Sequence, residues 1–261
     1  MTVQFLFLAS DYGSRGIRMR VEAVLFDLFD TLVLIDSGND SEDVYYGPCL
    51  KRMHEFIVKN GIEVSFEDLK RVYFQVRDRL YSETQKTLEE PHFNVRVSRI
   101  LQELGYKFNV SNPIVTGATN AFAEEFMRYV HLDKNALDVL RKLHGRYKLG
   151  IVSNFGIPES VWKLLDKFGL KKFFDVILIS GEVNRRKPSQ EIFDMALKAL
   201  DVPASEALFV GDTPSLDVKG PQNAGIRAIL IERKPIETTS DAKPDAIIRS
   251  LKELPEILED F

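Results

Sequence analysis

The chain has 261 residues, 44% hydrophobic and 28% charged, with a formal net charge of −4. That length holds one large domain or two small ones with a sizeable core. The weakly acidic balance argues against nucleic acid as a partner, because phosphate backbones are bound mainly through Lys and Arg. One cysteine, Cys49, excludes an internal disulfide framework and fits a reducing, cytoplasmic setting. His54, His92, His131 and His144 show no zinc-ligand spacing, and no apolar run approaches membrane-spanning length. At the N-terminus Val3–Ala9 is apolar but short, with no basic residue before it, so a secretory signal is not expected. Residues 1–18 are expected to be an appendage outside the core or an extra edge strand, with Met19 as an alternative start.

The first core element is Ala23–Phe26, an apolar run read as a strand buried on both faces. It ends in a carboxylate, Asp27, which cannot lie unpaired inside a sheet and is therefore expected at the C-terminal edge. Ser37 to Ser41 has the composition of a loop or hinge. From about residue 43 to 131 the periodicity is helical, with no convincing strand. Leu50, Met53, His54 and Ile57 mark a first helix closed by Asn60-Gly61; Phe66, Leu69, Val72, Tyr73, Val76 and Leu80 mark a second. Val97, Ile100, Leu101 and Leu104 mark a third, stopped by Gly105, and Ala121 to Val130 belongs to a fourth. Beyond Asp133, helices alternate with short apolar strands. The helices carry Leu137, Leu140 and Leu143, then Val161, Leu164, Leu165 and Phe168 up to Gly169. A further helix, opened by Pro188, places Ile192, Ala196 and Ala199 on one side, and the last runs near Asp217 to Asn223 before Gly225. The strands are Leu149–Val152, Val176–Ile179, Ala207–Val210, Ala228–Ile231 and Ala246–Ile248, with a polar loop from Lys234 to Pro244 before the last. This alternation predicts an α/β fold, a doubly wound parallel sheet, with an all-helical insert between its first strand and the rest.

In a parallel sheet all strand C-termini lie on one edge, so Asp27, Ser153 and Asp212 should converge although far apart in sequence. Lys187, between a strand and a helix start, belongs to the same edge. Carboxylates, a hydroxyl and an ammonium together suit a divalent cation and an anionic substrate, and oxygen ligands without thiolate or imidazole point to Mg2+. The backbone N–H groups after Ser153 and around Pro188, read as helix starts, favour phosphate. Ser153 as a hydrolase nucleophile is disfavoured, because Ile151 and Phe155 stand where Gly-x-Ser-x-Gly would place glycines.

On these residues the chain resembles the haloacid dehalogenase (HAD) superfamily of hydrolases, with a helical C1-type cap inserted after the first motif. The matching motifs, in order, are Asp27-x-x-x-Thr31-Leu32; Ile151-Val152-Ser153-Asn154; Arg186-Lys187-Pro188; and Val210-Gly211-Asp212 continuing to Asp217. The resemblance implies a Rossmann-like core at 19–35 and 132–261 and a helical cap at 36–131. Hinges are then expected near 33–43 and 130–134. It also implies an aspartyl-phosphate mechanism with Asp27 as nucleophile. Mg2+ would be held by Asp27, Asp212 and the Phe29 carbonyl, with Asp217 orienting the metal waters or Lys187. Lys187 would neutralise the phosphoryl group, and Ser153, Asn154 and Thr31 would bind substrate or hydrogen-bond near the nucleophile. The implied partner is a small-molecule phosphoester; nucleic acid and membrane are not expected.

The family's phosphatases usually carry a second Asp two residues after the nucleophile, as acid/base. Here that position is Phe29, with Asp30 one residue later read as a turn or cap residue. An aromatic at that position also occurs in the metal-independent 2-haloacid dehalogenases, which supply an alternative reading. Asp212, Pro214 and Phe193 oppose it, because that branch has Ser, Asn and Tyr there. An alternative of another class is a binding or regulatory protein that keeps the fold. Tyr45, Tyr46, Arg77 and Arg79 are cap candidates for substrate contact, and Arg185 and Arg186 are read as a solvated basic corner.

Overall fold

The computed structural model describes residues 20–36, 43–233, 242–259 and 261. The expected appendage at 1–18, the Ser37–Ser41 loop and most of the Lys234–Pro244 loop lie outside the described residues. A six-stranded sheet forms the centre, built from β1 (Ala23–Phe26), β4 (Lys148–Ser153), β5 (Val176–Ile179), β6 (Ala207–Gly211), β7 (Arg227–Ile231) and β8 (Ala246–Ile248). The spatial order is β5-β4-β1-β6-β7-β8, with every pairing parallel. The chain builds outward from β1 through β4 and β5, then returns to the other side of β1 with β6. The crossovers reverse at that point, so a crevice opens above the β1 C-terminus.

Strand side chains alternate across the sheet with the period of two that the pleat imposes. Val24 and Phe26 join Ile151, Val210 and Ile229 on one face; Leu25, Val152 and Phe209 pack on the other with Ile192, Phe193 and Ala196 of α8 (Gln190–Leu200). Burial on both faces explains why these strands read as continuous apolar runs. The first face is covered by α5 (Ala136–Leu143) and α6 (Pro158–Lys167). Ala199, expected on the buried side of α8, is exposed; Leu197 and Leu200 take the inward positions.

Between β1 and β4 the chain makes a helical layer of α1 (Asp43–Lys59), α2 (Phe66–Thr84), α3 (Phe93–Glu103) and α4 (Pro113–Phe126). Local chemistry sets its boundaries. The Ser65 hydroxyl accepts from the Asp68 N–H at the start of α2, the Asn112 side chain caps α4, and Gly61 and Gly105 supply left-handed turns after α1 and α3. The fourth helix lies further upstream than its periodicity suggested, and Val130 is not part of it. Val130–Leu132 is instead a strand, β3, paired antiparallel with β2 (Val33–Ile35), so the two crossings between layer and sheet form one short ribbon. Three residues are too few for alternation to be told from a continuing helix.

A second correction concerns Pro188. It lies outside α8, which begins at Gln190 after the cap residue Ser189. Two further short helices complete the described core near the site. α7 (Ser180–Val183) follows β5, and α9 (Lys219–Asn223) continues a single π-turn at Pro214–Val218.

Candidate active site

Asp27 follows directly from β1, and its N–H donates to the Val210 carbonyl at 2.9 Å, fixing it level with the end of β6. The Lys187 ammonium, 2% exposed, donates to Asp27 Oδ1 and to Asp217 Oδ1, both at 2.7 Å. The backbone of Lys187 is clamped by Asn154, whose Oδ1 accepts from the Lys187 N–H at 2.8 Å while its Nδ2 donates to the Lys187 carbonyl at 3.0 Å. The Asn154 amide thus joins the end of β4 to the lysine loop. Asp217 is held from the other side: its Oδ2 accepts from the Thr213 N–H at 2.9 Å. Gly211 allows this approach, since a Cβ at that position would lie 2.5 Å from the Asp217 carboxyl carbon.

The electrostatics follow from crowding. Carboxylate oxygens of Asp27, Asp212 and Asp217 lie within 4.8 Å of one another around a single ammonium. Burial pushes the Asp27 carboxyl up to about 6 despite Lys187. Burial, then Asp27 and Asp217, push Asp212 up to about 8. Burial alone would lower the Lys187 ammonium, but Asp217 and Asp27 outweigh it and hold it at about 12. A buried site with more carboxylates than cations is short of positive charge, and its all-oxygen donor set fits a hard divalent ion. Two buried hydroxyls add to the picture. Ser153 Oγ, at the end of β4, and Thr31 Oγ1 have no hydrogen-bond partner among the described residues. The Thr31 carbonyl accepts from Arg233 at 2.6 Å.

Phe29 and Asp30 take different directions from the same turn. The Phe29 ring lies 4.9 Å from that of Phe155 and 6.0 Å from that of Phe126, forming an aromatic wall beside the carboxylates. Asp30 has a left-handed backbone (φ 51°); its Oδ1 accepts from the Ile35 N–H at 3.1 Å and its carbonyl from Arg233 Nε at 2.9 Å. Its side chain is occupied in shaping the turn, as a short polar residue in this conformation favours.

A cavity of about 820 Å3 lies between the sheet edge and the helical layer. Lys187, Asn154 and Phe29 bound it from below; Tyr46, Arg77, Glu90, Arg96, Phe122 and Arg186 are among its other walls. Of the cap candidates, Tyr46 and Arg77 reach the cavity, whereas Arg79 is paired with Glu103 at 2.6 Å and lines no part of it. The Tyr45 side chain lies outside the described residues. Burial raises the Glu90 carboxyl above the usual carboxylate range, against Arg186 and Arg96.

Arg186 is not the solvated corner expected from its basic neighbours. It is 9% exposed and reaches into the helical layer, where Nη1 donates to Thr84 Oγ1 and the Glu89 carbonyl, each at 3.0 Å, and Nη2 to the Thr84 carbonyl at 3.3 Å. It thereby caps the C-terminus of α2, where a cation is favoured. Its N–H donates to the Leu88 carbonyl, and Phe93 N–H to the Gly156 carbonyl, so the α2–α3 connection is bonded to the core. Only the adjacency of Arg186 to Lys187 hinted at a role, and nothing in the local sequence names Thr84 as its partner. Arg186→Met should strand these acceptors and cost about 1–3 kcal/mol of stability. Thermal unfolding measures that loss; limited proteolysis should also cut the 85–92 connection faster than in the wild type.

Comparison with known proteins places these residues in a family. Residues 90–231 match the model of the haloacid dehalogenase-like hydrolases. A glyceraldehyde 3-phosphate phosphatase of Pyrococcus abyssi is 30% identical over 216 residues, 80% of this chain and 80% of that protein. Among solved structures, a 2-haloacid dehalogenase from Pseudomonas syringae pv. Tomato superposes with a TM-score of 0.72 at 25% identity, covering 92% of this chain and 99% of its own. The putative HAD-hydrolase YfnB of Bacillus subtilis, solved bound to magnesium, superposes with a TM-score of 0.59, also at 25% identity, over 92% and 99% of the two chains. Among the described residues no helix is long and apolar enough to cross a membrane. With a family match over more than half its length and the parallel sheet that carries its motifs, the chain belongs to the haloacid dehalogenase-like hydrolases.

Proposed function

We propose that this protein hydrolyses small phosphomonoesters with Mg2+ bound beside an aspartate nucleophile. The observation that carries the reading is the cluster itself: a buried lysine held between Asp27 and Asp217, with Asp212 close enough for all three carboxylates to share one cation. The Asp27 carboxylate attacks phosphorus as the ester oxygen leaves, giving an aspartyl-phosphate. Water then attacks that phosphorus and returns the carboxylate. Lys187 holds Asp27 in place and offsets phosphoryl charge. The Ser153 hydroxyl, without a partner among the described residues, donates to a phosphoryl oxygen, and the Thr31 hydroxyl, likewise buried without a partner there, hydrogen-bonds near the nucleophile. Asp27, Asp212, the Phe29 carbonyl and Asp217, directly or through water, would hold the cation. When bound it would shield these carboxylates from the phosphate and neutralise developing charge. Residues 36–131 act as a cap over the core, and their closure excludes water from the cavity. The phosphatase relative and the magnesium-bound neighbour support this reading.

A second reading, halide displacement from a 2-haloacid by the same Asp27, is favoured by the aromatic wall at Phe29 and by the dehalogenase neighbour. The test is a phosphate-release screen over many small phosphoesters with Mg2+, repeated in EDTA, alongside chloride release from 2-chloropropionate. Phosphate release that EDTA abolishes and Mg2+ restores is the expected result. Chloride release that persists in EDTA, without phosphate release, would replace the phosphatase reading by the dehalogenase one.

A further inference from the structure

Three arginines line the cavity, and they differ in what they hold. Arg186 is engaged by Thr84 and the Glu89 carbonyl, and Arg77 Nε donates to Asp78 at 2.8 Å. Arg96, on α3, is half-buried, and its guanidinium makes one hydrogen bond among the described residues, from Nη1 to the Tyr73 hydroxyl at 3.2 Å. Its guanidinium lies 4.9 Å from the Phe93 ring centroid and 5.7 Å from that of Tyr73. Among the described residues no carboxylate lies within ion-pair distance of it; Glu90, which lines the same cavity and feels the Arg96 charge, stands 4.0 Å from Arg186. A planar fork with most of its donors unengaged, stiffened by two rings and facing a cavity, is built to receive an anion in bidentate fashion.

We propose that Arg96 forms a second anion subsite, so that the substrate carries a carboxylate at the end of its carbon skeleton opposite the reacting phosphoryl group. The inference rests on the phosphatase reading, which sets the phosphoryl end against Lys187 and Ser153. Lys187 and Arg96 bound one continuous cavity, from the core and from the helical layer respectively. Between them Phe29, Phe122 and Phe126 offer apolar surface to the connecting carbons. A ligand charged at both ends would bridge the sheet edge and α3, and so favour the closed arrangement of the two layers.

The experiment uses three non-hydrolysable probes of matched length, propylphosphonate, 3-phosphonopropionate and propane-1,3-bisphosphonate, titrated calorimetrically in Mg2+ against the full chain. Tighter binding of 3-phosphonopropionate over propylphosphonate, by a factor of about ten or more, is expected. That ratio should collapse towards one in Arg96→Met and survive in part in Arg96→Lys, with circular dichroism confirming that both variants fold. Equal affinity of the wild type for the first two probes would overturn the subsite while leaving the phosphoryl site intact. So would a preference that Arg96→Met does not change. A stronger preference for the bisphosphonate would replace the carboxylate by a second phosphate. If none of the three binds, the phosphatase reading itself falls, and the subsite with it.

Discussion

Asp27→Asn is expected to abolish turnover of any phosphoester the wild type hydrolyses, by at least ~10⁴-fold, the scale on which losing a covalent nucleophile is felt. The amide cannot attack phosphorus, although its shape and its hydrogen bond from Lys187 can be kept. The same substitution should leave the metal-free protein as stable as the wild type, or more so. Carboxyls raised to about 6 at Asp27 and about 8 at Asp212 keep protons that the unfolded chain has released from about pH 4 upward. Folded-state stability therefore falls as pH rises across that window, because the crowded carboxylates must ionise together. Removing one charge at Asp27 relieves that repulsion. Thermal unfolding in EDTA at pH 5 and pH 8 should show the wild type losing stability at the higher pH and Asp27→Asn losing less. Mg2+ should stabilise the wild type most at pH 8, where its ligands are otherwise in conflict. A wild type that grows more stable from pH 5 to pH 8 in EDTA would contradict the electrostatics described for the cluster.

With an activated aryl ester such as p-nitrophenyl phosphate, a burst of phenol should precede a slower steady state, and phosphoenzyme should accumulate on Asp27. An acid/base normally assists both half-reactions, protonating the leaving oxygen and then deprotonating water. A nitrophenolate departs without a proton, so the first step survives, whereas hydrolysis of the aspartyl-phosphate gains no such relief. Phe29→Asp should shorten the life of the intermediate and raise the steady rate, up to the ~10²–10⁴-fold that general acid–base catalysis supplies. The Phe29 ring borders the cavity beside the carboxylates, so a shorter acidic side chain there leaves room for the water it must activate. Asp30→Asn is the control. Its side chain caps the Ile35 N–H from a left-handed backbone, a task that Asn performs as well as Asp, so rapid-quench kinetics should show little change. A large defect in Asp30→Asn, together with linear phenol release, would assign the acid/base role to Asp30 and refute the turn role.

The sheet is legible in the sequence. Runs such as Val24-Leu25-Phe26 and Leu208-Phe209-Val210 are apolar at every position because parallel strands covered on both faces leave no place for a polar residue. Polar residues at strand ends therefore stand out, and Asp27, Ser153 and Asp212 are legible as one edge from the sequence. The cluster around Lys187 follows from that topology, and the motif order adds the family. What lies above the edge depends on contacts between distant elements. The β2–β3 ribbon is too short to carry a period, and its pairing joins residues almost a hundred positions apart. Asn154 became a clamp on Lys187 because two loops meet there, not because of its neighbours in sequence. Arg186 and Arg96 are the clearest cases. Arg186 stands in a basic run and Arg96 between two valines of a helix, and neither setting names a partner; yet one caps α2 across the interface and the other faces the cavity with a phenol as its hydrogen-bond partner. Charge and periodicity specify which surface a residue can occupy, whereas its partner depends on which elements the fold brings opposite it.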